Sequence, residues 1–291
     1  MKIGLIASGN DMLTLFKFLS KYDHEYVVYY DFSHRPYGDK NFAEASLHVQ
    51  EGINFLMEQG VDKIILPPIY ELALLGGNVE MWKGGNLVYR QAGMEKWKDE
   101  KILPLFKNYL LEYCFNHSLV GKIGLLGDYA DVEVVERIMK ELEKEYALTD
   151  AQKAIKKFHK PFAYRVKETP LWKYYLIGIS YSNILINRII KFDLRYFKDA
   201  AVDTVIPLNY GYFNYQNTIS KFFNFKKIRF HKLEKLESVF QAVMSNEGLV
   251  TSKKYSVKVF YTGHVDFLKR EKRLMRLLQR GKGSEVEMVK V

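Results

Sequence analysis

Two short segments carry the side chains best suited to chemistry. Asp62–Tyr70 (DKIILPPIY) and Asp203–Tyr212 (DTVIPLNYGY) each read as a short buried β-strand running into a pocket-facing loop. Counted from their aspartates, Tyr70 and Tyr210 fall one residue apart, so the two phenols are candidates to face each other across a cleft. Glu71 lies beside the first and Asn209 beside the second. Such groups offer proton transfer, but a phenol with a pKa of about 10 is a poor base at neutral pH unless cations lower it. A pocket lined by proline and leucine works the other way. The competing reading is that these bulky rings simply fill the space.

Three further sets of residues are candidates for chemistry or binding. Cys114, the only cysteine in 291 residues, sits on an expected helix with His117 one turn away, which suits either a Cys–His pair or a small buried hydrophobe beside a surface histidine. Ser33-His34-Arg35 leads into Pro36-Tyr37-Gly38, where an arginine is a candidate to bind a carboxylate in bidentate fashion, or stands as a solvated loop cation. His264–Arg280 reads as a basic amphipathic helix, suited to pack on a sheet or to touch acidic lipid or nucleic acid.

These residues need a scaffold, and the chain supplies alternating signals for one. Lys2–Ala7 is an apolar run that ends in a polar turn and a helical pattern at Met12–Tyr22, with Asn10 or Asp11 suited to cap it. Strand Glu25–Asp31, helix Phe42–Gln59 and strand Lys63–Leu66 follow, with Gly60 placed for a C-cap. A second cycle opens at Gly121–Asp128 with helix Val132–Tyr146. A helix from Tyr181 to Asp199, strand Val202–Pro207, helix Phe213–Phe223, strand Lys227–Phe230, helix Leu233–Asn246 and strand Ser256–Thr262 complete the reading, with a frayed polar tail at Gly281–Val291. This alternation predicts parallel sheets covered by helices, duplicated at about 140 residues. Ligands in such sheets bind at the carboxyl ends of strands, which points to the loops after Ile6, Leu66, Leu126 and Ile206.

Composition narrows the partners. A chain with 48% hydrophobic residues can bury one large or two modest cores. No apolar run approaches the ~18 residues of a membrane span. A single cysteine excludes an intrachain disulfide, argues against a cysteine-built zinc site and is read as cytoplasmic. The net charge of +10 keeps anionic partners open, although solvated helix faces account for most charge runs and nothing matches an RNA-recognition or zinc-finger signature.

Taken in order, several segments resemble glutamate racemase across nearly the whole chain. They are KIGLIASG at the start, Arg35-Pro36-Tyr37-Gly38 with Lys40, VDKIIL, GKIGLLGD, Thr169-Pro170-Leu171, Val202–Ile206, and the closing Asn246–Leu249 and Val259–Gly263. The resemblance implies an α/β fold of two similar doubly wound domains with parallel sheets, related by a pseudo-two-fold axis around a cleft. It divides the chain into 1–100 plus 214–291 and 101–213. It also implies cofactor-free, metal-free deprotonation and reprotonation by two thiols, one on each face of the substrate. Here Pro68 and Asn209 occupy the thiol places, and a slip of one residue gives Pro67 or Leu208. Ala7 replaces the carboxylate that assists the first thiol, and Gly211 the imidazole that assists the second. Ser8, Pro36, Tyr37 and Gly38 survive, and with Tyr70, Asn209 and Tyr210 they form the candidate ligand-binding set. Pro and Gly in that loop equally serve to fix a turn.

The expectation is therefore a racemase-like protein without two-thiol activity, acting as a binding, regulatory or structural homologue of enzymes of the peptidoglycan cell wall. Its implied partners are a small amino acid or dicarboxylate in the cleft and a second copy in a homodimer. Nucleic acid is the less favoured partner. The alternative is a cofactor-independent racemase or isomerase using Tyr37, Tyr70, Glu71, Asn209 or Tyr210.

Overall fold

The computed structural model describes residues 1–75, 101–127, 132–172, 183–245, 249–251, 255–263 and 285–291. The expected basic helix His264–Arg280 and Asn246–Gly248 lie outside these residues.

Lys2–Ala7 (β1) is buried along nearly its whole length, as a strand covered on both faces must be, and pairs in parallel with β2 (Glu25–Tyr30) and β3 (Lys63–Ile65). Between them lie α1 (Asn10–Leu19) and α2 (Phe42–Glu58). The start of α2 is set by Asn41, whose side chain accepts from the Glu44 N–H at 2.8 Å. Its end is set by Gly60, which takes a φ of 70° just past the last turn. β3 then leads directly into α3 (Pro68–Leu75).

The chain continues through α4 (Leu105–Tyr109), whose last turn widens into a π-helical stretch at Leu110–Phe115. β4 (Lys122–Gly127) opens the second sheet and is followed by α5 (Val132–Lys144), α6 (Asp150–Lys153), β5 (Ala163–Glu168), α7 (Asn183–Asp199) and β6 (Thr204–Pro207). A 3-10 helix at Tyr210–Tyr215, then α8 (Gln216–Phe223) and α9 (Leu233–Met244), return the chain to the first sheet. That sheet is completed by β7 (Ser256–Tyr261) and β8 (Glu285–Lys290).

Two parallel sheets result, ordered β3-β1-β2-β7-β8 and β5-β4-β6. No helix among the described residues is long and apolar enough to cross a membrane.

Four local expectations are corrected. The tail is not frayed at Glu285–Lys290. Its alternating Val286, Met288 pattern pairs in parallel with β7 along the edge of the first sheet. Lys227–Phe230 forms a single bridge, Thr204 to Arg229, because Lys227 takes a left-handed φ of 55° that delays alignment with β6. The segment after β3 is a helix rather than an open loop. The α1 turn is not capped by a side chain at its first residue. Asp11, already inside the helix, folds back onto the N–H groups of Ser8 and Gly9.

Candidate functional site

The carboxyl ends of β1, β2, β3 and β7 carry many of the side chains singled out from the sequence, and the segment after β6 joins them through Tyr210 and Asn214. Pro67 and Pro68 control the exit from β3. Proline suits the first helical position because its φ is preset and its missing N–H would have no partner there. The Pro67 carbonyl accepts from the Tyr70 and Glu71 N–H groups at 3.1 and 3.0 Å. Pro68 is thus the buried first residue of α3 and offers no acid or base.

Asn209 lies at the matching exit from β6. Its side-chain oxygen accepts from the Gly211 N–H at 2.8 Å and starts the 3-10 helix. That oxygen is committed to the backbone.

Tyr70 and Tyr210 do not face each other as a pair. Tyr70 stacks on Phe42, centroids 5.3 Å apart, and meets Tyr37 edge-on at 5.9 Å. Successive helix residues point about 100° apart, so it is Glu71 that turns toward β6. The Tyr210 hydroxyl donates to Glu71 Oε2 at 3.4 Å, and Phe106 packs edge-on against the Tyr210 ring. Glu71 Oε1 accepts from the N–H groups of Phe106 and Lys107 at 2.7 and 2.8 Å. Glu71 is fully buried, and burial pushes its carboxyl up to about 8 against the hydrogen bonds that favour its charge. Burial, then the nearby Glu71, raises the Tyr210 phenol well above its ordinary value.

Two carboxylates not singled out as site residues complete the cluster. Asp31, fully buried at the end of β2, accepts from Tyr37 Oη at 2.8 Å and Thr262 Oγ1 at 2.9 Å, and lies 2.9 Å from His34 Nδ1. It fastens the loop carrying Pro36, Tyr37 and Gly38 to the end of β7. Asp11 accepts from Ser8, Gly9 and its neighbour Met12, its carboxyl raised by burial, and its field reaches the Tyr37 and Tyr210 phenols. The sequence signal was present in both cases: an acidic residue just beyond a buried strand on the side where a parallel sheet presents its loops.

Other expectations resolve differently. The Arg35 guanidinium lies 3.5 Å over the Phe32 ring and donates to Tyr30 Oη at 3.4 Å, so it is engaged within its own loop. Cys114 is buried, its thiol raised by burial and hydrogen-bonded to Tyr109. His117 turns outward, Nδ1 against the Tyr113 carbonyl at 2.7 Å, so no Cys–His pair forms. Thr169, of the Thr169-Pro170-Leu171 segment, shares a 2.5 Å hydrogen bond with Tyr212. Among the described residues no group of three or more metal-ligating side chains occurs.

Glutamate racemase isoform RacE1 from Bacillus anthracis matches this fold with a TM-score of 0.68 at 16% identity, covering 99% of this chain and 96% of that one. Glutamate racemase from Francisella tularensis, solved in complex with D-glutamate, matches at 0.68 and 17%, covering 99% and 97%. That from Thermus thermophilus, solved with beta-chloro-D-alanine, matches at 0.66 and 17%, covering 100% and 97%.

This chain has the glutamate racemase fold. A glutamate racemase of Leptospira interrogans is also 43% identical to it over 68 residues, a stretch spanning 23% of this chain and 27% of that relative. No protein-family model matches the chain. On the glutamate racemase fold, the exits from β3 and β6 are bridged here by a buried carboxyl and a phenol. Below the titration of Glu71, both are neutral.

Proposed function

We propose that this protein is a glutamate racemase homologue that has given up two-thiol racemisation and serves as a binding, regulatory or structural partner. One observation carries the reading: neither exit supplies a thiol or an imidazole. Pro68 begins a buried helix, Asn209 is spent on a turn, and the lone Cys114 is buried with a raised thiol in the segment between the two sheets. Inversion at a carbon needs an acid or base on each face of the substrate, and Ala7 and Gly211 leave the assisting groups out as well. The relatives solved with D-glutamate and beta-chloro-D-alanine make a small amino acid the ligand class to test. The reading keeps the division into 1–100 plus 214–291 and 101–213, a homodimer, a cytoplasmic setting and a link to cell-wall precursor supply.

Incubation with L- or D-glutamate or aspartate in deuterated water is expected to leave the α-proton signal at the protein-free rate. Exchange above that rate, lost on substituting Glu71 or Tyr210, would overturn the proposal. A second reading has one specific observation behind it. A carboxyl titrating at about 8 is matched to proton transfer near neutral pH. In that reading Glu71→Gln abolishes exchange while leaving ligand-induced thermal shifts intact.

A further inference from the structure

The helix α7 covers the second sheet with one side and leaves an unusual surface on the other. Its inner side chains, Ile186, Ile190, Leu194 and Phe197, are buried. Outward it shows Ile184, Leu185, Phe192 and Tyr196, four of the nine large apolar side chains exposed among the described residues. Ile184 and Phe192 are 71% and 73% exposed, so these are protruding side chains rather than the rim of the core.

Spacing sorts this outer face into two ridges. At about 100° per residue, Leu185, Phe192 and Tyr196 fall on one line along the helix. Arg188, Lys191, Arg195 and Lys198 fall on the line beside it, with Ile184 at their head. Among the described residues none of these four cations has an ion-pair partner. Asp193, on the same helix, faces inward and pairs with Lys167 at 3.5 Å. α8 lies along the cationic side, with Thr218 Oγ1 donating to Asn187 Oδ1 at 3.2 Å, and adds the exposed Lys221.

We propose that this face of α7 is a docking surface for an anionic phospholipid bilayer. An apolar ridge flanked by lysine and arginine is the pattern of a helix that lies in the interfacial plane, with rings below the headgroups and cations at the phosphates. Self-association through the same face would oppose one cationic ridge to another, with Asp199 as the only exposed acid on the helix to relieve it. Side chains that protrude this far, Ile184 and Phe192 above all, fit a deformable surface better than a shaped protein pocket. The net charge of +10 adds long-range attraction toward the same partner.

The test is co-sedimentation of the full chain with vesicles of phosphatidylcholine alone and of phosphatidylcholine mixed with phosphatidylserine. Binding is expected only to the mixed vesicles and is expected to weaken as salt rises. The triple variant Arg188→Gln, Lys191→Gln, Arg195→Gln should weaken it about a hundredfold, and the charge-retaining triple variant Arg188→Lys, Lys191→Arg, Arg195→Lys should restore it. Phe192→Ser should weaken it about tenfold. All these positions are exposed, so unchanged melting curves keep folding out of the result. Absent binding, equal binding to both vesicles, or binding indifferent to these variants overturns the proposal. So does a lipid-free dimer in sedimentation velocity that Phe192→Ser dissolves, or capture by polyglutamate with no capture by vesicles. The first of these outcomes would assign the face to a second copy and the second to an acidic protein.

Discussion

The strands β3-β1-β2 and β6-β4-β5 are the same construction made twice. Ile3 pairs with Lys63 and Tyr26, and Ile123 pairs with Thr204 and Tyr164. In each half an aspartate precedes the third strand, and its N–H donates to the first strand: Asp62 to the Lys2 carbonyl at 2.8 Å, Asp203 to the Lys122 carbonyl at 2.9 Å. Beyond the strands the likeness stops. β3 passes through two prolines into an α-helix bearing Tyr70 and Glu71, whereas β6 passes through an Asn-led turn into a 3-10 helix bearing Tyr210 and Tyr212. Strand positions are held alike by pairing register and two-sided burial, while the segments that leave them are held by neither.

The largest asymmetry is energetic. Glu71→Ala would leave the buried Phe106 N–H and the part-buried Lys107 N–H without their acceptor, at a cost of about 3 kcal/mol or more in denaturant unfolding. Asn209→Ala at the matching exit frees only the Gly211 N–H and should cost about 1 kcal/mol. Glu71 also sets a pH dependence. Its carboxyl is raised from 4.5 to about 8 on folding, so its contribution is full below pH 4.5 and is lost as pH rises through 8. Glu71→Gln copies the protonated form and should remove the decline in that window. If wild type and Glu71→Gln lose stability in parallel up to pH 8, the carboxyl is not held neutral. Tyr210→Phe, which removes one long hydrogen bond, should cost about 1 kcal/mol or less.

Much of this was legible beforehand because burial writes itself into sequence. The strands at Lys2, Glu25, Lys63, Lys122 and Thr204, the Gly60 cap and the gathering of loops at strand ends follow from runs of apolar residues and turn chemistry. Pairings between the two strand exits were not legible. Nothing local distinguishes Tyr70 from Glu71 as the partner of Tyr210; that choice depends on whether the residues after Pro67 coil into a helix, and two prolines in succession read as a loop. Asp31 was missed as a site residue for a related reason. Its partners Tyr37 and Thr262 lie 6 and 231 residues away, and only the parallel pairing of β2 with β7 brings the second within reach. The strand β8 escaped because its polar edge positions resemble a solvated tail.

The two aspartates give a smaller contrast. Asp203 accepts from Ser118 Oγ at 2.8 Å and from the N–H groups of Leu119 and Val120, and so fastens the entry to β4. Asp62 is exposed and, among the described residues, accepts only from the Lys2 N–H. Asp203→Ala should therefore cost about 2–3 kcal/mol, and Asp62→Ala about 1 kcal/mol or less, read from denaturant midpoints. Equal losses would mean that the halves are fastened alike and that the asymmetry lies in the loops alone.

The third residue of each opening strand is a glycine, and here the comparison is at its finest. A Cβ on Gly124 would stand 2.5 Å from Phe197 Cδ1, on a fully buried ring of α7. A Cβ on Gly4 would stand 3.1 Å from Leu56 Cδ1, the tip of a flexible side chain. Gly124→Ala should cost about 1–3 kcal/mol through overpacking. Gly4→Ala should stay within about 1 kcal/mol of neutral, because lost unfolded-state freedom offsets a mild crowding. Phe197→Leu alone removes packing, yet in the double variant it should recover part of the Gly124→Ala loss, and that non-additivity is the decisive reading. If the losses add instead, the close approach of α7 to β4 is not what holds that glycine in place.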